Sequence, residues 1–238
     1  PQYMEAEGMT SDFVGHPAVS SPHVSKKDQE KFKKKYNLHN GPIITVLPGS
    51  RIGEIKRMCP IFNKVLKNIE KLYPDSQFIL PVASSVEKDV VNAVKSWNIK
   101  PLLLLNEGKD LKEIEHDKFI TYSISSAALA TSGTVSLELA AKKCPMIVAY
   151  KANWITTKMV KKLAKIDTAN LINIITDTKV IPEHLFESCT VENITESLKL
   201  LLNNDNNQIK AMEETMNRLG ADRKDIHLLA ANSVLNNI

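Results

Sequence analysis

Cysteine is scarce in this sequence, long apolar runs are missing and charge of neither sign dominates, and each shortage removes a class of function. The three cysteines, Cys59, Cys144 and Cys189, stand far apart, with no C-x-x-C pair and no histidine at ligand spacing. That excludes a zinc site and a disulfide framework, so no metal is expected and a reducing compartment is predicted. No stretch approaches the roughly 18 consecutive apolar residues that a membrane span needs, and the start of the chain lacks the basic-then-apolar layout of a signal peptide. The expectation is a chain that neither spans a membrane nor is exported by that route. Basic residues number 31 against 27 acidic ones, a formal charge of only +4, which gives nucleic-acid binding no support. Repeats and low-complexity tracts are absent, and the opening Pro1-Gln2-Tyr3, without Met, is expected of a fragment of something longer.

What is present is an apolar content of 43% over 238 residues, ample for a real core. Phe13 to Pro17 reads as a brief strand stopped by Gly15 and Pro17, and Lys26 to Tyr36 as a lysine-rich helix. Ile43 to Leu47 is a β-branched strand, followed by a helix from Glu54 to Tyr73 that Pro60 kinks or divides. The alternation continues with strands at Gln77 to Val82, Pro101 to Leu105, Ala127 to Thr131 and Pro145 to Tyr150. Helices lie between them at Val86 to Trp97, Asp110 to His116 and Val135 to Lys143, while Phe119 to Ser126 fits either pattern. Strands alternating with helices predict an α/β, Rossmann-like parallel sheet with helices on both faces. From Glu192 onward only helical patterns remain, an all-helical tail.

In such a sheet, ligands lie beyond the carboxyl ends of the strands, where helix N-termini present unpaired N–H groups. Two strand-to-helix junctions carry small residues there. Gly49 allows close backbone approach, Ser50 can cap the helix or bond an oxyanion, and Arg51 offers a forked cation suited to phosphate. Ser132, Gly133 and Thr134 repeat the backbone logic; an ordinary helix cap explains either tripeptide taken alone. Glu138 lies one turn further on among Val135, Leu137, Leu139 and Ala140, where a carboxylate can reach over the strand ends to a ribose diol or simply face solvent. Other chemistries fit badly, because Gly-Lys-Ser/Thr, Gly-x-Ser-x-Gly and G-x-G-x-x-G are all missing.

In the order and spacing of FVGHP (13 to 17), LPGSR (47 to 51) with Glu54, Arg57 and Pro60, SGTVSLE (132 to 138) with KCPMIVAYK, and NLIN (170 to 173) before VIPEHL, the sequence resembles the carboxyl-terminal part of the lipid-A-disaccharide synthase family. The resemblance implies the donor-binding half of a two-domain inverting glycosyltransferase of lipid A biosynthesis, with no cofactor. The reaction it implies joins 2,3-diacylglucosamine from its UDP form to 2,3-diacylglucosamine 1-phosphate and releases UDP. By position it assigns Gly49, Ser50 and Arg51 to one donor-phosphate loop and Ser132, Gly133 and Thr134 to the other. Glu138 matches a ribose-binding carboxylate, and Asn173 an asparagine near the nucleotide, although Ile172 replaces a common proline. Asp177-Thr178 stands where the family commonly reads Gly-Arg, which predicts weaker diphosphate binding. The general base is expected in the family's amino-terminal half, so no catalytic residue is assigned here and binding without turnover is the expectation.

The division this implies is a linker over 1–22, a Rossmann-like donor domain over 23–205 and terminal helices over 206–238 that would pack on the other half, or leave an apolar face for self-association into a homo-oligomer. An amphipathic helix from Asn153 to Ile166, with Lys158, Lys161 and Lys165 on one side, either covers the sheet or rests on anionic headgroups. The implied location is cytoplasmic, peripheral on the inner face of a Gram-negative inner membrane. His16, near the cleft in the family's VGHP segment, reads as a structural turn histidine or a catalytic one. Two other readings of the sequence are a non-catalytic nucleotide-binding or interaction module, and a UDP-sugar 2-epimerase of the same architecture.

Overall fold

The computed structural model describes residues 2–151, 168–203, 207–223 and 225–236. Within them, six parallel strands form one sheet in the order β3-β2-β1-β4-β5-β6. These are β1 (Ile43–Leu47), β2 (Gln77–Pro81), β3 (Leu102–Leu104), β4 (Ala127–Thr131), β5 (Met146–Tyr150) and β6 (Glu183–Leu185). The described helices are α1 (Gln2–Ala6), α2 (Lys26–Lys35), α3 (Ile52–Leu72), α4 (Glu87–Lys95), α5 (Leu111–Ile124), α6 (Val135–Ala141), α7 (Leu171–Thr176), α8 (Val191–Asn203), α9 (Gln208–Arg218) and α10 (Ile226–Leu235).

The central strands are apolar at nearly every position because both of their faces are covered, and the pleat divides them between two cores. Ile44 and Val46 of β1, Leu129 of β4 and Ile147 of β5 point to one side. There they meet Ile55, Phe62 and Leu66 of α3, Val90 and Val94 of α4, and Ile194 and Leu198 of α8. Leu47, Ala128, Ala130, Met146 and Val148 point to the other, against Phe119 and Tyr122 of α5, Leu137 and Leu139 of α6, Ile172 of α7 and Met212 of α9. A smaller cluster joins Phe32 of α2 to Ile43, Ile79 and Ile120 on that second side. The alternating strands and helices read from the sequence are therefore those of a doubly wound sheet.

Several local expectations are corrected. Phe13 to Pro17 forms no strand; it leads into a 3₁₀ turn at Pro17–Ser20, and His16 caps that turn by accepting the Ala18 N–H on Nδ1 at 3.1 Å. The ambiguous stretch from Phe119 is the second half of α5, since Phe119, Ile120 and Tyr122 are all buried by its helical turn. Pro60 neither divides nor ends α3, because it stands exposed on the outer side, where losing one backbone bond is tolerated. Strand β6 has no counterpart in the sequence reading. The tail is not a separate layer: α9 packs on α6 and α7 through Ala211, Met212 and Met216, burying its apolar face in this domain. Residues of the opening segment join the same body, with Ala18 buried in the second core and the His16 N–H bonded to Leu219 O at 3.0 Å. α10 keeps several large apolar side chains in solvent, Leu228, Leu229, Val234 and Leu235. The amphipathic segment from Asn153 to Ile166, with its three lysines, lies outside the described residues. No described helix is long and apolar enough to cross a membrane.

Where β6 is too short to continue the ladder along β5, a side chain takes its place. Gln208 is buried and bonds both backbone groups of Met146, accepting the N–H on Oε1 at 2.8 Å and donating from Nε2 to the carbonyl at 3.0 Å. Replacing Gln208 by Ala strands two buried backbone groups, so urea unfolding should show a loss of about 2–4 kcal/mol.

Candidate functional site

Strand order reverses between β1 and β4, and the helices that follow these two strands leave toward opposite faces, α3 to the first core and α6 to the second. The crevice so opened is a cleft of about 590 Å³ at the carboxyl ends of β1, β2, β3 and β4. Gly49, Ser50 and Arg51 line one side of it, and Ser132, Gly133, Thr134 and Glu138 another. The two predicted loops and the predicted carboxylate thus share a single cavity.

The first loop is shaped by Glu54. Its buried carboxylate accepts the Ser50 N–H on Oε2 at 2.9 Å and pairs through Oε1 with the Arg51 guanidinium at 3.1 Å. Gly49 turns over that carboxylate at φ +121°, and an added Cβ would lie 2.4 Å from Glu54 Oε2 and 2.5 Å from Glu54 Cβ. Only glycine fits. Ser50 does not cap α3, as the sequence allowed; the cap position falls to Arg51, whose side chain makes no capping bond. With its N–H held by Glu54, Ser50 turns its carbonyl to the Ser85 hydroxyl. The Arg51 side chain is 83% exposed, so its charge stands at the cleft with most of its donors open to an anion.

The second loop differs. Gly133 has no positive φ, and an added Cβ would meet no atom within 4 Å, so nothing inside the protein requires a glycine there. Thr134, at the start of α6, makes no side-chain capping bond. The Thr131 hydroxyl, at the end of β4, is 4% exposed, lines the cleft and has no hydrogen-bond partner among the described residues. A polar group withdrawn from water in this way costs free energy until a ligand bonds it.

α5 supplies a third side that the sequence reading missed. Lys109, just before it, donates to Asp117 Oδ2 at 2.8 Å, and Lys118 stands 3.1 Å from Glu138 Oε2. Tyr122 OH adds a long 3.5 Å bond to the same Glu138 oxygen. Burial opposes the charge on Lys109, but the Asp117 carboxylate outweighs it and holds the ammonium above its ordinary value. Burial, and then the Glu138 charge, push the Tyr122 phenol far up, so it remains a donor. Each carboxylate of the cleft, Glu54, Asp117 and Glu138, therefore has its own cation.

Other candidates fall away from the cleft. Asn173 is buried and ties α7 to the approach of β6, donating to Ile181 O at 2.9 Å and accepting the Ile181 N–H at 3.0 Å; it does not line the cavity. Asp177 closes α7 in the left-handed conformation at φ 51°, and the Thr178 N–H returns to Asn173 O, so neither residue lines the cleft. Burial raises all three thiols, Cys59 to about 12, which leaves none of them a ready nucleophile. Among the described residues no group of three His, Cys, Asp or Glu is placed to hold a metal ion.

Residues 1–235 match the family model described as lipid-A-disaccharide synthetase. The chain belongs to this family. A lipid-A-disaccharide synthase of Ruegeria pomeroyi is 38% identical over 238 residues, all of this chain and 59% of its own length. One from Rhodospirillum centenum is 34% identical over 240 residues, 99% of this chain and 58% of its own length. The chain thus spans under two thirds of these relatives. Among solved structures, a UDP-GlcNAc 2-epimerase from Neisseria meningitidis aligns over 99% of this chain and 58% of its own, with a TM-score of 0.60 at 14% identity, which is a likeness of fold.

The two glycines give opposite expectations. Gly49→Ala should lower stability by about 1–3 kcal/mol through backbone strain and the clash with Glu54. Gly133→Ala should leave the melting temperature unchanged in the same thermal scan.

Proposed function

We propose that this chain forms the donor side of a lipid-A-disaccharide synthase, holding UDP-2,3-diacylglucosamine, and UDP after transfer, in the cleft at the β1–β4 crossover. The observation that carries the reading is the convergence of Arg51, the uncapped Ser132-Gly133-Thr134 turn, the unpartnered Thr131 hydroxyl and Glu138 on one cavity, in a chain of this family. The Arg51 guanidinium meets the diphosphate as it departs with the UDP oxygen, the turn admits phosphate where a Cβ at Gly133 would stand, and Glu138 accepts from the ribose. Donors aimed at a leaving diphosphate stabilise charge that grows in the transition state. Inversion also needs a base for the acceptor hydroxyl, and no residue of this cleft is assigned that role. The reading places the base, and the site for 2,3-diacylglucosamine 1-phosphate, on the portion of the relatives outside the match, so these 238 residues alone bind without turnover.

Because Asp177 and Thr178 lie off the cleft, their substitution in place of Gly-Arg is no argument for a lost donor site. A cytoplasmic place at the inner face of the membrane follows from the acylated substrates, with Lys158, Lys161 and Lys165 as contacts to anionic headgroups. The exposed apolar side chains of α10 suit contact with the other half of the enzyme or with a second copy.

Calorimetric titration of the chain with UDP, ADP and uridine tests the reading. Saturable binding that prefers UDP over both supports it, and a folded chain that ignores millimolar UDP refutes it. Arg51→Ala should weaken UDP binding by about 1.5–3 kcal/mol, and Gly133→Ala should weaken it without loss of stability. Supplying the amino-terminal half in trans should then yield disaccharide.

A further inference from the structure

The Glu138 carboxylate does not enter the cleft as an unattached acceptor. Its Oε2 is engaged twice, by the Lys118 ammonium at 3.1 Å and by the Tyr122 hydroxyl at 3.5 Å, while Oε1 accepts no hydrogen bond among the described residues. Both partners are anchored. Tyr122 is fully buried in the second core, and its ring meets Phe119 edge-on with centroids 5.7 Å apart. The Lys118 ammonium lies 4.9 Å from the centroid of the same Phe119 ring, so the stem follows the core surface before the charge reaches Glu138. α5 and α6 are thus joined across the cleft wall by one ion pair. The pair is half-buried, with both partners anchored, and its physical effect on the cleft is to orient Glu138.

We propose that Lys118 is a positioning residue for nucleotide selectivity: with Tyr122 in support, it fixes one oxygen of Glu138 so that the other is presented to a vicinal diol, and the site thereby prefers a ribonucleotide to its 2′-deoxy counterpart. The proposal rests on Glu138 being the ribose acceptor. A carboxylate turned by one fixed oxygen can meet two adjacent hydroxyls with little loss of rotamer entropy on binding, whereas an untethered glutamate must be ordered by the ligand. Loss of one hydroxyl leaves the oriented oxygen with half its bonds, and the difference in affinity is the measure of that orientation.

The test compares UDP with 2′-deoxy-UDP on the 238-residue chain and on Lys118→Met, Lys118→Arg and Tyr122→Phe, each checked for native circular dichroism. The wild-type chain should bind UDP roughly tenfold tighter than 2′-deoxy-UDP. Lys118→Met should bring that ratio to within about threefold of unity, Lys118→Arg should restore it, and Tyr122→Phe should lower it partway, since its bond is the longer one. If Lys118→Met does not fold, Lys118→Gln carries the same comparison. A folded Lys118→Met that keeps the full ratio overturns the proposal, as does one that loses affinity for both nucleotides equally, because Lys118 then acts on the phosphates. A wild-type chain that binds both nucleotides alike overturns this proposal and the assignment of Glu138 together, and a chain that binds neither overturns the donor-site reading itself.

Discussion

The pairing of β1 with both β2 and β4 is the constraint on which the site depends. Ile44 of β1 stands opposite Phe78 on one side and Ala127 on the other, so the chain builds outward from β1 in two directions. Because crossovers between parallel strands keep one hand, reversing direction in the sheet sends the next helix to the opposite face. α3 therefore lies on one core and α6 on the other, and among the described residues a cleft opens at the strand ends between them. The cleft follows from topology before any polar side chain is considered, and it is the same crevice that other doubly wound proteins fill with nucleotides. What the side chains decide is which ligand suits it.

Three carboxylates facing one cavity would repel each other and any phosphate, and the structure answers each with a cation from a different place. Arg51 comes from the loop after β1, Lys109 from the turn before α5, and Lys118 from α5 itself. The pairs differ in what they leave over. Lys109 and Asp117 are both largely buried and satisfy each other, which makes them part of the wall. Glu54 spends both oxygens on the first loop and fixes its turn. Glu138 spends one, and Arg51 keeps most of its donors in solvent. Among these charged groups, those with bonding capacity to spare are one carboxylate oxygen and one guanidinium, which matches a ligand with a neutral hydroxylated part and an anionic part.

Much of the fold was legible because burial on both faces leaves a plain record. β4 is bounded by Ser126 and Ser132 and buried at all five positions, and its limits were read directly from the apolar run. The second half of α5 was not legible: Thr121-Tyr122-Ser123-Ile124 has the β-branched and aromatic content of a strand, and only packing of Phe119 and Tyr122 on the second core settles it as helix. β6 was missed because an edge strand of three residues carries too few side chains to form a pattern. The same division holds at the site. Gly49 and Gly133 punctuate the sequence and advertise their loops, but Lys118 and Tyr122 look like ordinary helix residues until the helix is placed. Asn173, named by the resemblance, bonds the Ile181 backbone and the Glu183 carboxylate, partners that only the folded chain brings to it.

A UDP-GlcNAc 2-epimerase shares this fold at 14% identity. A shared sheet order, crossover and cleft do not fix a reaction, which is decided by the groups placed in the site. Within this chain the division of labour follows mobility. In the proposed donor site, an exposed Arg51 would be free to follow a diphosphate as its charge grows, which is where binding energy contributes to rate. Glu138, held through one oxygen, would suit the nucleoside of the proposed donor, which undergoes no change and needs only to be held. Binding energy gathered on that unchanging part would then hold the reacting carbon of the proposed donor in place.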